Sequence, residues 1–441
     1  MTDRANSLLE KHFIEKITAI KEKRVGVEIE LPIVRLSKEP MDMKFALTLM
    51  EYMWRHGFVP IDRTIDGYCY KAENEYGDVF SFDTTWNMIE FSMKEEMSIV
   101  KTASRFYDYL ATVQKFSQSE GYIVCGRGIH PYAEYIDIRP LNTDGLNAKS
   151  EFLRRFTSNN DAGDVFFAIP SAIQTHISCH ASDFFDVFNL LRKLTFVDAC
   201  LFANSLPPAE GLIKKYPVLA KASSSTICFR DEIYRLSEAP NTKADGRDFH
   251  SFEDLKAYLR DLSIFIVTDS EKGFRPINPE PFGQYFHDET HPEGDITCFR
   301  PLEHISPSRY GTLEVRCTCT QPLSEIFYPM AFYTGIVEMR EEAASLLRDF
   351  FQEEGIALPP MELRSRVTCG EPIAEENTLQ EFLKRLVSCA YEGLLKRGFA
   401  EEQLMRGLYE KDIFHPPAQR ELALVRAGLP MQEIIRKLSE W

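Results

Sequence analysis

Arg24-Val25-Gly26-Val27-Glu28-Ile29-Glu30-Leu31 alternates apolar and polar side chains without interruption. In an extended strand successive side chains face opposite sides, so Val25, Val27, Ile29 and Leu31 define one face and Gly26, Glu28 and Glu30 the other. Later segments repeat the pattern. In Asn87-Met88-Ile89-Glu90-Phe91, Glu90 opposes Ile89 and Phe91. In Ile173-Gln174-Thr175-His176-Ile177-Ser178, the residues Gln174, His176 and Ser178 share a face, and in Leu313-Glu314-Val315-Arg316, Glu314 and Arg316 do. If these strands lie in one sheet, one face is apolar. The other gathers Glu28, Glu30, Glu90, Gln174, His176, Glu314 and Arg316.

A face merely wetted by solvent would favour Lys, Thr and mixed charge, yet Lys is absent from these strand segments. Carboxylates brought together raise one another's pKa unless a cation compensates. Hard oxygen donors with few nitrogens suit magnesium or manganese rather than zinc. Arg316, on the same face, supplies a fixed guanidinium for phosphate oxygens.

Outward from these strands, the periodicity predicts a helix over 5–21 ending at the Lys-rich 21–24, a strand over 24–35 and a helix over 42–57. Residues 66–94 read as strands joined by a turn near Gly77-Asp78, followed by a long helix over 95–119 and a strand over 121–129. A helix near 148–157, a strand over 165–179 and a helix over 183–203 come next, the last ending at Asn204-Ser205-Leu206-Pro207-Pro208. Residues 251–260 read as helix and 261–268 as strand; 271–308, rich in Pro, Gly and His, reads as a long, partly ordered loop. A strand over 310–318 precedes a helical remainder, broken near Pro359-Pro360 and Pro416-Pro417. The class is α+β, with a core over 1–320 and a helical portion over 321–441 packed on it as one unit.

Apolar residues are 44% and charged residues 27% of the chain, the composition of an ordinary globular protein. A formal net charge of −16 opposes binding to nucleic acid or an anionic membrane, so an anionic substrate needs local positive charge or a metal cation. No apolar run approaches the roughly 20 residues of a membrane span. The ten cysteines have no pairing rhythm, and Cys317-Thr318-Cys319 lacks the spacing of a zinc site. Cys69, Cys179 and Cys200 read as buried thiols, and all ten as reduced in a cytoplasmic compartment.

The strand segments, taken in order, resemble the glutamate–cysteine ligases of the carboxylate–amine ligase family. Gly26-Val27-Glu28-Ile29-Glu30 is similar to the family's Gly-x-Glu-x-Glu opening. Asp83, with Glu90-Phe91 seven residues on, resembles its acidic pair. Gln174-Thr175-His176-Ile177 resembles a family strand in which Asn usually stands where this chain has His176. Ala203-Asn204-Ser205, Arg230-Asp231-Glu232-Ile233-Tyr234 (Tyr234 replacing Trp), Leu313-Glu314-Val315-Arg316 and the turn Gly126-Arg127-Gly128-Ile129-His130-Pro131 have counterparts too. The coverage is about residues 24–320.

The resemblance implies a glutamine synthetase-like fold, a curved antiparallel sheet forming a funnel with helices behind it. ATP would enter at one end and amino acids at the other, with magnesium or manganese between. Metal ligation would fall to Glu28, Asp83, Glu90, Gln174 and Glu314, with Glu30 beside them. Arg316 would touch the transferred phosphate, Arg230 the substrate carboxylate or phosphate, and His176 and Ser178 would lie on the nucleotide side. The implied reaction joins L-glutamate and L-cysteine through γ-glutamyl phosphate. The same chemistry on another acid and amine, or a non-catalytic binding relative, are the alternatives.

Amide formation from a free carboxylate needs activation, and phosphorylation supplies it mainly by positioning and charge neutralisation. That task suits carboxylates, metal and arginine without a Ser or Cys nucleophile. Cys125, Cys179 and Cys228 carry no Cys–His signature of a thiol enzyme. His287, His291 and His304 read as a mobile polar loop near the site ahead of a metal site.

Overall fold

The computed structural model describes residues 3–242 and 246–441. Its architecture is α+β, built on an open antiparallel sheet of nine strands. Strand β1 (Val25–Arg35) lies inside the sheet, between β5 (Met88–Glu96) and β7 (Ile173–Ile177). Beyond β5 come β4 (Val79–Phe82), β3 (Cys69–Glu73) and the edge strand β2 (Val59–Arg63). Beyond β7 come β11 (Leu313–Val315) and β10 (Ile305–Pro307), while β6 (Tyr122–Val124) pairs with the end of β1.

The alternation in β1 decides which face is covered. Val25, Val27, Ile29 and Leu31 are buried, and the helices Met43–Arg55, Ile99–Ser119 and Tyr328–Glu338 pack into the same core. Full burial of a side chain such as Ile29 contributes about 1.5–3 kcal/mol. This fixes the register, because a one-residue slip would drive Glu28 and Glu30 into the apolar layer.

The C-terminal helices share that core. Tyr328–Glu338 crosses Glu376–Arg397 so closely that a Cβ added at Gly335 would lie 2.0 Å from the Ala390 carbonyl oxygen. Pro360 opens the helix Pro360–Thr368, where its missing N–H costs nothing. That helix delivers Arg364, 1% exposed, to Asp198 Oδ1 at 3.0 Å, Asp231 Oδ2 at 2.8 Å and the Cys317 carbonyl oxygen at 3.1 Å. Arg127 pairs with Glu421 at 2.9 Å in a second buried ion pair.

Several expected boundaries are corrected. The stretch 165–179 is not one strand: Val165–Ala168 is helical and β7 begins at Ile173. A short apolar run has no period that separates the two forms. The region 271–308 is ordered. Strand β9 (Gly273–Pro281) pairs with β8 (Ser263–Asp269) as a separate two-stranded ribbon, followed by helical turns at Phe282–Tyr285 and Glu293–Cys298. Pro276, Pro279 and Pro281 hid it, since prolines are tolerated in a ribbon with free edges but not in a central strand. The expected strand 121–129 shrinks to β6 and 310–318 to β11, and β2 was not foreseen. The helix over 183–203 is two, Phe184–Lys193 and Thr195–Phe202, and the helix over 95–119 starts at Ile99 because β5 runs on to Glu96.

Candidate functional site

Register turns the sequence pattern into a site. Glu30 of β1 stands directly opposite Glu90 of β5, and Glu28 opposite Gln174 of β7. His176 stands opposite Glu314 of β11. Asp83 leaves the end of β4, where its N–H donates to the Met88 carbonyl at 2.9 Å. The next residue, Thr84, has φ 54°, rare for a β-branched side chain. Its hydroxyl donates to the Phe167 carbonyl at 2.8 Å, and its own carbonyl accepts from the Leu141 N–H at 2.7 Å. These bonds hold a strained turn beside a candidate ligand, where such strain is commonly found.

Glu30, Asp83 and Glu90 each place one oxygen within 4.8 Å of the others. Three carboxylates this close cannot all ionise cheaply. Burial, and then Glu90, push Glu30 up to about 7. Burial, then Glu90 and Glu30, push Asp83 well above the usual carboxylate range. Glu28 is also raised, by burial and then by Glu90 and Glu314. Burial would raise Glu314 too, but the Arg316 guanidinium beside it holds it down.

Glu30 is fixed from two sides: the Ala172 N–H donates to one oxygen at 2.8 Å and the Gln174 amide to the other at 2.9 Å. The remaining Gln174 oxygen, Oε1, is buried and has no hydrogen-bond partner among the described residues. The same holds for Arg316 Nε, Arg230 Nη1 and His176 Nε2. Proteins rarely leave so many buried polar atoms unsatisfied in one place. Carboxylate and amide oxygens on one side and guanidinium N–H groups on the other fit a hard divalent cation facing an anion.

A cavity of about 350 Å³ takes in the acidic triad, Glu28, Gln174, Arg230 and Arg316. A second, of about 730 Å³, shares Glu28 and adds His176 and Ser178. Glu314 meets the site through its ion pair with Arg316 and its place opposite His176. His176 Nδ1 lies 3.2 Å from the Thr312 hydroxyl, and its Nε2 lies 3.7 Å from Glu28. The Ser178 hydroxyl accepts from the Arg24 N–H at 2.6 Å and donates to backbone carbonyl oxygen, pinning the start of β1. Arg230 Nη2 donates to the Tyr234 hydroxyl at 3.1 Å.

The loop histidines go separate ways: His287 pairs with Asp288, His291 stacks on Tyr285, and His304 is buried against Asp231. All ten cysteines are free thiols, with Cys69, Cys179 and Cys200 buried.

Lys149 was missed. It lines the first cavity from the helix Asp144–Phe156, where it is exposed. The signal was present, because Lys149, Phe152 and Leu153 share one helical face and a Lys on an apolar stripe is out of place.

No family model matches the chain, and no curated protein matches it either. Among solved structures, its fold is similar to that of a glutamate–cysteine ligase from Francisella tularensis in complex with AMP. The two share a TM-score of 0.50 and 12% identity, over 95% of this chain and 87% of the other. A bifunctional glutathione synthetase from Pasteurella multocida aligns at a TM-score of 0.48 and 11% identity, over 100% of this chain and 53% of the other, so the chain spans about half of that protein's length. No helix among the described residues is long and apolar enough to cross a membrane.

Proposed function

We propose that the chain is a magnesium- and ATP-dependent carboxylate–amine ligase with a glutamine synthetase-like sheet. Glutamate and cysteine are the first acid and amine to test. One observation carries the reading: a triad of crowded carboxylates faces two guanidiniums with unsatisfied N–H groups in one cavity. A shared fold with a glutamate–cysteine ligase supports it.

Magnesium, or manganese, held by Glu30, Asp83 and Glu90 with the Gln174 oxygen would neutralise polyphosphate oxygens against the acidic wall. Glu28 and Glu314 stand one step toward the His176 end, where they can hold a further cation or orient Arg316. Arg316 would meet the phosphoryl oxygens, and Arg230 a carboxylate or phosphate of the bound pair. His176 and Ser178 border the larger cavity, assigned here to the nucleotide.

The direct test is hydroxamate formation from ATP, an acid and hydroxylamine, which traps an acyl phosphate whatever the natural amine is. Activity should appear with magnesium or manganese, vanish in excess chelator and need no zinc. Full turnover in chelator would sink the metal assignment. Silence with every acid tried would sink the ligase reading.

A further inference from the structure

Resting on that ligase reading, we propose that the amine substrate is an α-amino acid with a large apolar side chain, its carboxylate held by Lys149. The smaller cavity does not end at the acidic triad. It continues along a wall of Phe152, Phe167, Ile233, Phe265 and Leu302, and Lys149 lines the same cavity within electrostatic reach of Asp83. Phe167, Phe265 and Leu302 are only half-buried, so these side chains are not spent on the core. Phe152 packs on Phe265 with ring centroids 4.8 Å apart, joining these two rings into one apolar surface.

The cations of the cavity divide the work. Arg316 is paired with Glu314, and Arg230 keeps Nη1 unsatisfied. Lys149 makes no hydrogen bond or ion pair among the described residues. Joining the side-chain carboxylate of an acid such as glutamate to a second amino acid leaves two spectator carboxylates, one on each partner. Among the described residues of the cavity, Arg230 and Lys149 are the two cations left to receive them, and Lys149 shares a helical face with Phe152 and Leu153, where the apolar wall begins.

In the joining step the neutral amine attacks the acyl carbon. The C–N bond forms, the C–O bond to phosphate breaks, and phosphate leaves carrying the proton lost from nitrogen. A thiol side chain one atom beyond Cβ would leave most of the aromatic wall in contact with water. An aromatic or branched aliphatic side chain covers it.

The test uses the full chain with ATP, magnesium and the acid that gives hydroxamate. L-phenylalanine or L-leucine should exceed L-cysteine in kcat/KM by about 10–200-fold, the range for apolar groups in an apolar pocket. Lys149→Met should raise KM for the favoured amino acid about 10–100-fold, the loss of one charge-assisted bond. The penalty should disappear with the matching amine that lacks a carboxylate, phenethylamine for phenylalanine. Melting near the wild-type temperature shows that the variant is folded. A preference for cysteine, or an equal penalty on phenethylamine, overturns the proposal while hydroxamate formation keeps the ligase reading intact. Absence of hydroxamate with every acid overturns both.

Discussion

Arg316→Ala is expected to slow turnover about 10²–10³-fold, the loss typical of deleting one preorganised charge-stabilising donor. Arg316 follows β11 two residues after Glu314, so both side chains come to the same side of the sheet. Burial opposes its charge, but Glu314 and Tyr234 more than compensate and raise its pKa, so the guanidinium is permanently charged. Nε remains buried and unsatisfied among the described residues, a donor awaiting an acceptor. The Ala variant also strips Glu314 of its partner, which will cost some stability. Arg316→Lys separates the effects. It keeps a cation beside Glu314 but loses the fork that matches phosphate oxygens, so it should melt near wild type and recover only part of the rate. ADP release and thermal melting of both variants decide the matter; a fully active Arg316→Ala would remove this residue from the chemistry.

Arg364→Met should destabilise the fold by about 3–5 kcal/mol, the cost of breaking a buried ion cluster on one side only. Burial alone would raise the Asp231 carboxyl, but Arg364 beside it, with His304, holds it well below its ordinary range. Asp198, 1% exposed, loses the same partner. The guanidinium also donates to the Cys317 carbonyl, next to Arg316, while Asp231 adjoins Arg230. One side chain of the C-terminal helices therefore braces both segments that carry the site's arginines. Urea unfolding measures the effect, and a midpoint shift equivalent to less than about 1 kcal/mol would show that the cluster is not holding the fold.

The acidic face was legible in the sequence because strand alternation is a strict geometric rule. Glu28, Glu30, Glu90 and Gln174 needed only their neighbours' hydrophobicity to be placed. What the alternation left open was register. That Glu30 faces Glu90 and Glu28 faces Gln174 follows from pairing across long sequence separations. Asp83 comes to the triad through a turn with Thr84 at positive φ, which no propensity signals at a Thr. Lys149 arrives from a helix outside the sheet, so strand periodicity could not reveal it. Strand β8 was legible at 261–268, but its partner β9 escaped because its prolines read as breakers wherever a strand is assumed to be central.

The face-to-face placement of Glu30 and Glu90 sets robustness against purpose. Like charges directly opposite on paired strands are destabilising. The Glu30 carboxyl is raised from 4.5 to about 7 in the fold, so it binds its proton more tightly there than in the unfolded chain. In chelator, stability should therefore fall as pH rises from about 4.5 through 7, because folding then gives up a proton-binding advantage. A library of this gene sorted for heat resistance alone, with no substrate present, should enrich Glu→Gln and Asp→Asn changes at Glu30, Asp83 and Glu90. The residues such a sort discards first would mark where the chain gives up durability to hold a ligand.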